Sequence, residues 1–352
     1  MPLKSIPKPV FIIAEAGSNW KAGSASADMR RAKALIDVAL RAGADAVKFQ
    51  TFSADRIYVK NAGPSGYLAK HGIRTSIHEL FKKLAMPHSM IPALAGYCKK
   101  RGIEFMSSAF SLEDFYVVNA WVKTHKIASY EITHPGLLRA AARCGKPLIL
   151  STGAASLEDI DWAVSYYRRQ GGKHLTLMQC TAKYPAPFLA LNLRAIHTLI
   201  RRFWGVSCGF SDHSLDPVIG PVAAVALGAK VIEKHFTLSN RLAGPDHRFA
   251  LTPAKLSRMV RAIRDCEAAL GTGQKVVLPE EKELRDYAQR AVQATRDIKK
   301  GEILIPERNI AVLRPGNQPK GEHPKFLIAM AGKRARCFIS AGTGIRKNQY
   351  AG

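Results

Sequence analysis

Residues 226–238 read ALGAKVIEKHFTL. A short β-branched run, Lys230–Glu233, ends in three reactive side chains, Glu233, Lys234 and His235. The same design occurs seven times upstream, in Val10–Ala14, Ala46–Phe49, Glu104–Met106, His125–Ala128, Pro147–Leu150, Leu175–Gln179 and Val206–Phe210. Runs of this length and composition predict buried strands. Between them lie longer stretches of helical period. Asp28–Leu40 places Met29, Ala32, Leu35, Ile36, Ala39 and Leu40 on one face. The last, Pro253–Leu270, has Thr252 as N-cap and Pro253 in the first turn. Eight strand-then-helix units predict a (β/α)8 TIM barrel, closure being favoured over its structural rival, an open doubly wound sheet.

We place the barrel at residues 1–271, a charged linker at 272–288 and a small domain at 289–352. The small domain has strand-like runs at Ala291–Ala294, Ile303–Ile305 and Ile310–Leu313. It is small enough to need docking on the barrel or on a partner subunit. The connection from Phe52 to Ile103 is long, with helical patterns at Ser76–Leu84 and His88–Arg101. A long βα connection belongs on the catalytic face of such a barrel.

The 352 residues carry 53 Lys and Arg against 27 Asp and Glu, a net charge of +26. That excess invites a polyanion-binding reading. Yet four basic clusters immediately precede Gly43, Gly102, Gly145 and Gly171 and follow helical patterns. Cations there complement the helix dipole, and glycine supplies the left-handed cap. The last thirty residues are basic and free of acid, a bias that suits anionic substrates as well as nucleic acid. No apolar run approaches the ~18 residues of a membrane span, and no secretion signal is evident. Six scattered cysteines without a CxxC pair suit a reducing, cytoplasmic setting.

In a barrel, the C-terminal strand ends converge on one mouth. Here they offer Glu15; Lys48 and Gln50; Ser107 and Ser108; Lys126, Ser129 and Glu131; Ser151 and Thr152; Gln179, Thr181 and Tyr184; Ser211, Asp212 and His213; and Glu233, Lys234 and His235. Any one reads equally well as a cap or turn former; the ensemble does not. His213 and His235, from adjacent strands, suit a divalent ion held by two protein ligands with open positions; two satisfied core histidines are the alternative. Lys48 and Lys126, with Ser108, Ser129, Ser151 and Ser211, suit a phosphate and a carboxylate. Glu15, Glu131 and Asp246 are acid–base candidates. Burial would raise the pKa of Glu15, and an ion pair with a lysine would lower it.

Several stretches, in order, resemble the sialic acid (nonulosonate) synthase family: FIIAEAGSN (11–19), GADAVKFQT (43–51), HKIASYEIT (125–133), GKPLILSTG (145–153), QCTAKYPAP (179–187), GFSDHS (209–214) and GPDH (244–247). TRDIKKGEIL (295–304) and LRPG (313–316) resemble the antifreeze-like (SAF, β-clip) domain that ends those enzymes. The resemblance implies condensation of phosphoenolpyruvate with an open-chain N-acetylated amino sugar and release of phosphate. It puts phosphoenolpyruvate on Lys48, Ser108, Lys126, Ser129, Ser151 and Ser211, and the sugar near Gln50, Tyr184, Asp246 and Arg314. It gives His213 and His235 a divalent ion, typically manganese, with magnesium or cobalt as alternatives. Glu15 and Glu131 fall near the reacting centre. Arg314 would enter the site of the other subunit in a domain-swapped homodimer. Trp20, Ala182 and Ala109 depart from the family pattern, the first two near the expected ligand pocket.

The rival readings are a related barrel condensing enzyme, aldolase-like or making a 3-deoxy sugar acid, and a non-enzymatic polyanion binder. The lack of a recognisable Cys metal ligand near His213 or His235 counts against a 3-deoxy-heptulosonate type. A phosphorylated acceptor would need extra basic groups in the mouth.

Overall fold

A computed structural model describes residues 9–69 and 74–351. The chain divides into two compact units, one ending at Thr272 and the other beginning at Gly273. In the first, eight parallel strands close into a barrel in sequence order. They are β1 (Phe11–Gly17), β2 (Ala46–Thr51), β3 (Glu104–Ala109), β4 (His125–Ile127), β5 (Leu148–Ser151), β6 (Leu175–Cys180), β7 (Ser207–Asp212) and β8 (Val231–His235). All but β4 continue past the apolar run into the polar residues, because the backbone ladder does not depend on side-chain polarity.

Side chains alternate across a strand, and the alternation builds the molecule. Ile12, Ala14, Val47, Phe49, Phe210 and Ile232 point outward and pack with the helices in one continuous core. Ile13, Ala46, Met106, Ile149, Met178 and Val231 form a separate apolar plug inside the barrel. Two residues further along these same strands stand Glu15, Lys48, Ser108, Ser151, Cys180 and Glu233. The inward positions thus switch from apolar to polar in a single layer.

The helices end as their sequences imply. Ala25–Ala42 and Met90–Arg101 carry their cations in the last turn and stop at Gly43 and Gly102, with φ 85° and 80°. Gly145 and Gly171 have the same left-handed backbone. Thr252 does occupy the N-cap of Pro253–Leu270, but its side chain makes no capping bond. No helix among the described residues is long and apolar enough to cross a membrane.

Asp212 and Lys234, which the strand-end reading grouped with the mouth, face the other way. They form an ion pair buried at 0% and 2% side-chain exposure. Lys234 also donates to the Ser214 carbonyl at 2.7 Å, and Asp212 accepts from the Ser214 amide at 2.8 Å. Each flanks a histidine, so the outward pair ties down the strand ends that aim His213 and His235 inward.

The second unit has its own core around Val292, Ile298, Leu304, Ile310, Met330 and Ile339. β9 (Ala291–Ala294) pairs antiparallel with β10 (Ile310–Leu313). The run Ile303–Ile305 is not a strand: Ile303 makes one bridge, to Arg334. The buried Asn309 side chain takes the strand's role, accepting from the Ile305 amide at 2.7 Å and donating to the Ile303 carbonyl at 2.9 Å. Within the stretch 272–288, Lys282–Ala288 is a short helix.

Lys234→Ala leaves a buried carboxylate without its partner. Denaturant unfolding is expected to show a loss of about 3–5 kcal/mol; a neutral result would mean that water or another cation replaces the lysine.

Candidate active site

Parallel pairing sets Glu15 of β1 beside Lys48 of β2 on one side and His235 of β8 on the other. Ser211 of β7 pairs with Glu233 of β8. The register therefore brings four ionisable groups from three strands, plus Lys126 of β4, into one chamber of about 500 Å³. Its lining includes Glu15, Lys48, Gln50, Ser108, Lys126, Ser129, Glu131, Tyr184, Ser151, Ser211, His213 and His235. Ser129 and Glu131 reach it from a single 3-10 turn after β4.

Lys48 Nζ lies 2.6 Å from Glu15 Oε2, donates to Ser108 Oγ at 3.0 Å and stands 3.5 Å from Glu233 Oε1. Lys126 Nζ donates to Ser151 Oγ at 2.8 Å and stands 3.6 Å from the same Glu233 oxygen. Gln50 Nε2 donates to Glu15 Oε1 at 2.8 Å. Burial acts to raise Glu233, but Lys126 and Lys48 outweigh it and hold the group down at about 2. Glu15 goes the other way. Burial pushes it to about 7 although Lys48 is close. Both effects named from the sequence act on Glu15, and desolvation is the larger. Burial pushes Lys48 down, yet Glu15 and Glu233 together hold it above its usual value. Lys126 faces Glu233 alone at close range, and burial lowers it.

The histidines lie side by side, ring centres 5.6 Å apart, with the Tyr184 ring 4.1 Å from His213 and 6.1 Å from His235. His213 Nδ1 sits 2.8 Å from the Thr181 carbonyl. A carbonyl only accepts, so Nδ1 carries the proton and the Nε2 lone pair is left for another partner. His235 Nδ1 is buried with no hydrogen-bond partner. Burial lowers the His235 pKa, which favours the neutral ring.

A second cavity of about 460 Å³ shares Gln50, Tyr184 and His235 with the chamber and is also lined by Asp246. Asp246 Oδ2 accepts from the Ser18 amide at 3.3 Å and its hydroxyl at 3.1 Å. Gly17 lies beneath it with φ 51°, and a Cβ there would fall 2.7 Å from Asp246 Oδ2. Arg314 belongs to the second unit, exposed directly after β10.

Trp20 and Cys180 correct the sequence reading. Trp20 is buried in the helix-facing core, not the ligand pocket. Ala182 does line the second cavity, and Ala109 is buried at the end of β3. Cys180 Sγ lies 3.8 Å from His213 Nδ1, so a cysteine does stand beside a candidate ligand. Among the described residues, no three His, Cys, Asp or Glu side chains gather as a metal cage. Glu233 was visible at a strand end but was given no role. The signal was its spacing of two from Val231, the same as Glu15 from Ile13.

Burial pushes the Glu131 carboxyl from 4.5 to about 7, against the pull of its own backbone amide and Lys126. Within that window the folded state keeps a proton that the unfolded chain releases, so stability falls as pH rises. Glu131→Gln is expected to flatten this decline in denaturation curves taken from pH 4.5 to 7. An unchanged slope would contradict the buried carboxyl.

The model of the NeuB family matches residues 35–275, and that of the SAF domain matches 289–351. Spore coat polysaccharide biosynthesis protein SpsE of Bacillus subtilis is 43% identical over 96% of this chain and 92% of its own. N,N'-diacetyllegionaminic acid synthase of Legionella pneumophila is 37% identical over 95% and 92%. A crystal structure of an N-acetylneuraminic acid synthetase from Leptospira borgpetersenii, in complex with citrate, superposes with a TM-score of 0.69 at 32% identity, over 80% of this chain and 91% of that one. A 3-deoxy-D-arabino-heptulosonate 7-phosphate synthase from Thermotoga maritima shares only the fold, at 15% identity, a TM-score of 0.57, and 74% and 88% coverage. With the polar layer of its barrel and these matches together, the chain belongs to the NeuB family and ends in a SAF domain.

Proposed function

We propose that this enzyme is a nonulosonic acid synthase that condenses phosphoenolpyruvate with an open-chain N-acetylated amino sugar and releases phosphate. The observation that carries the reading is the chamber itself. Two ammonium groups, four serine hydroxyls and two imidazoles face one another in a chain related to acid synthases. Only Glu233 is firmly ionised among the two carboxylates that touch the lysines, so the chamber favours an anion.

Lys48 and Lys126, each steadied by a serine hydroxyl, hold the phosphate and carboxylate of phosphoenolpyruvate. Its methylene carbon attacks the sugar aldehyde carbon, and the aldehyde oxygen takes the proton that Glu15 holds to about 7 and becomes a hydroxyl. The resulting cationic carbon takes up water, whose proton goes to Glu131; a carboxyl of pKa about 7 can accept it at neutral pH. The adduct then expels phosphate by carbon–oxygen cleavage while its new hydroxyl gives a proton back to Glu15, leaving a 2-keto acid, and the proton on Glu131 leaves with the phosphate. The lysines offset the departing charge. Gln50, Tyr184 and Asp246 orient the sugar. His213, with its Nδ1 proton committed, and His235, with an unpartnered buried nitrogen, fit a divalent ion such as manganese, magnesium or cobalt. When bound, the ion supplies Lewis acidity toward a carbonyl oxygen. The remaining parts of the proposal are a domain-swapped homodimer, with Arg314 serving the partner's sugar site, and a cytoplasmic enzyme.

Phosphate release should require both phosphoenolpyruvate and an amino sugar, cease with chelator and return with manganese. His235→Ala should bring turnover to background and weaken manganese binding measured by calorimetry, with the barrel still folded by circular dichroism. Retained turnover would remove the histidine from the mechanism. Lys126→Met should raise the KM for phosphoenolpyruvate ~10- to 100-fold, the value of a charged hydrogen bond. Mixing inactive Arg314→Ala and His235→Ala chains should restore turnover if the arginine acts across subunits; none would place it within its own.

A further inference from the structure

We infer that the end of the barrel remote from the chamber docks on a planar anionic surface, the headgroup layer of a lipid bilayer that carries acidic phospholipids.

A closed parallel barrel puts every strand start, and the end of the helix leading into it, on one face. The backbone joins these starts directly. The Phe11 amide donates to the Lys230 carbonyl at 2.9 Å, Lys230 to Cys208 at 2.7 Å, Leu148 to His174 at 2.9 Å and His125 to Pro147 at 2.9 Å. The chamber opens at the opposite end, so this face is free of the chemistry. The basic clusters that the sequence places before Gly102, Gly145 and Gly171 therefore share it. Lys99 and Lys100 stand in the last turn of Met90–Arg101, Arg143 closes Pro135–Arg143, and Arg168 and Arg169 close Leu157–Arg169, all exposed.

Complementing the helix dipole accounts for part of this charge, because that effect is confined to the last turn. It does not account for Lys123, Lys173 and Lys230. Each is exposed in the connection between a helix and the next strand, on the way into β4, β6 and β8. Acids do not offset them. Asp37 is taken by Arg101 at 2.8 Å, Asp161 pairs with Arg202, and Asp45 and Glu267 share Arg264. Among the described residues, the acids left at this end are Asp265, exposed, and Glu104, half-buried. Glu113, Asp114, Glu158 and Asp159 sit instead in first helical turns, toward the mouth. The barrel is thus polarised along its axis.

Two tryptophans break the surface on the same basic face. Trp121 follows Leu112–Asn119 on the way to β4, and Trp204 follows Ala195–Arg202 on the way to β7; they are 43% and 89% exposed. The Trp204 carbonyl accepts from the Arg168 guanidinium at 2.8 Å, which ties two of these turns together. Exposed indoles among cations suit the water–lipid boundary, where the amphipathic ring enters the headgroup region and Lys or Arg meets acidic headgroups. The groups also follow an arc, with Trp121 and Lys123 at β4, Lys173 at β6, Trp204 at β7 and Lys230 at β8. A plane meets such an arc all at once, whereas a rod-shaped nucleic acid touches it along one line.

Flotation of the full chain with lipid vesicles tests this. Phosphatidylcholine vesicles with about 30% phosphatidylglycerol should carry the protein upward in about 0.1 M salt and release it in about 0.5 M, and pure phosphatidylcholine should leave it behind. Lys173→Gln combined with Lys230→Gln should weaken partitioning ~25-fold, at about fivefold per charge removed. Trp204→Ser should also weaken it and remove most of the blue shift of tryptophan fluorescence on binding. Lys299→Gln combined with Lys300→Gln, the same charge change at exposed sites of the second unit, should leave partitioning unchanged. No flotation with the acidic vesicles, equal flotation with both lipids, unchanged partitioning in the Lys173/Lys230 or Trp204 variant, or an equal loss in the Lys299/Lys300 variant overturns the inference. So does binding to a duplex oligonucleotide that is tighter than to acidic vesicles at the same salt and is lost in the Lys173/Lys230 variant, which assigns the face to nucleic acid.

Discussion

Glu15, Lys48, Glu233 and Lys126 share the interior of one barrel, each 1–5% exposed, and none of them is stable there alone. Removing a charge from water costs several kcal/mol per ion unless partners replace the solvent. Here the partners come from strands far apart in the chain. Glu233 faces both lysines, Glu15 faces one, and serine hydroxyls complete the shells. The balance is uneven, since Glu15 holds its proton to about 7 while Glu233 does not. A layer that retains excess positive charge without water is built to receive an anion. An anionic substrate therefore relieves the same electrostatic tension that the barrel holds in place.

The layer exists because strand alternation has two sides. One side is packed into helices, and the other carries first the apolar plug and then the polar groups. The plug keeps water from the floor of the chamber, which strengthens every interaction above it. The outward Asp212–Lys234 pair shows the same rule at work. Two polar residues beside the histidines are excluded from the chamber by their parity alone, and they bond to each other and to Ser214 instead.

Much of this was legible in the sequence. The eight strand–helix units, the glycine helix ends and the polar strand termini are local patterns, and each reappears in the fold. The barrel residues singled out from the sequence as site residues line one chamber or the cavity joined to it, because a parallel barrel brings all of its strand ends to one side. What the sequence left unresolved is equally physical. Trp20 stands next to motif residues and reads as lying near the ligand pocket, but its ring packs in the core. Cys180 stands thirty-three residues from His213, and only the adjacency of β6 and β7 brings them together. Ile303–Ile305 has the composition of a strand, and Asn309 supplies the bonds that a partner strand would have made.

The amino-acid sequence by itself determined the class of fold and the stock of reactive groups at its mouth, because periodicity and strand-end chemistry are written in neighbouring residues. Tertiary structure decided which carboxylate is charged and which is not, which face the basic helix ends share, and which polar residues turn away from the chamber. Those outcomes depend on burial and on distances between residues remote in the chain, and neither quantity is defined until the barrel closes.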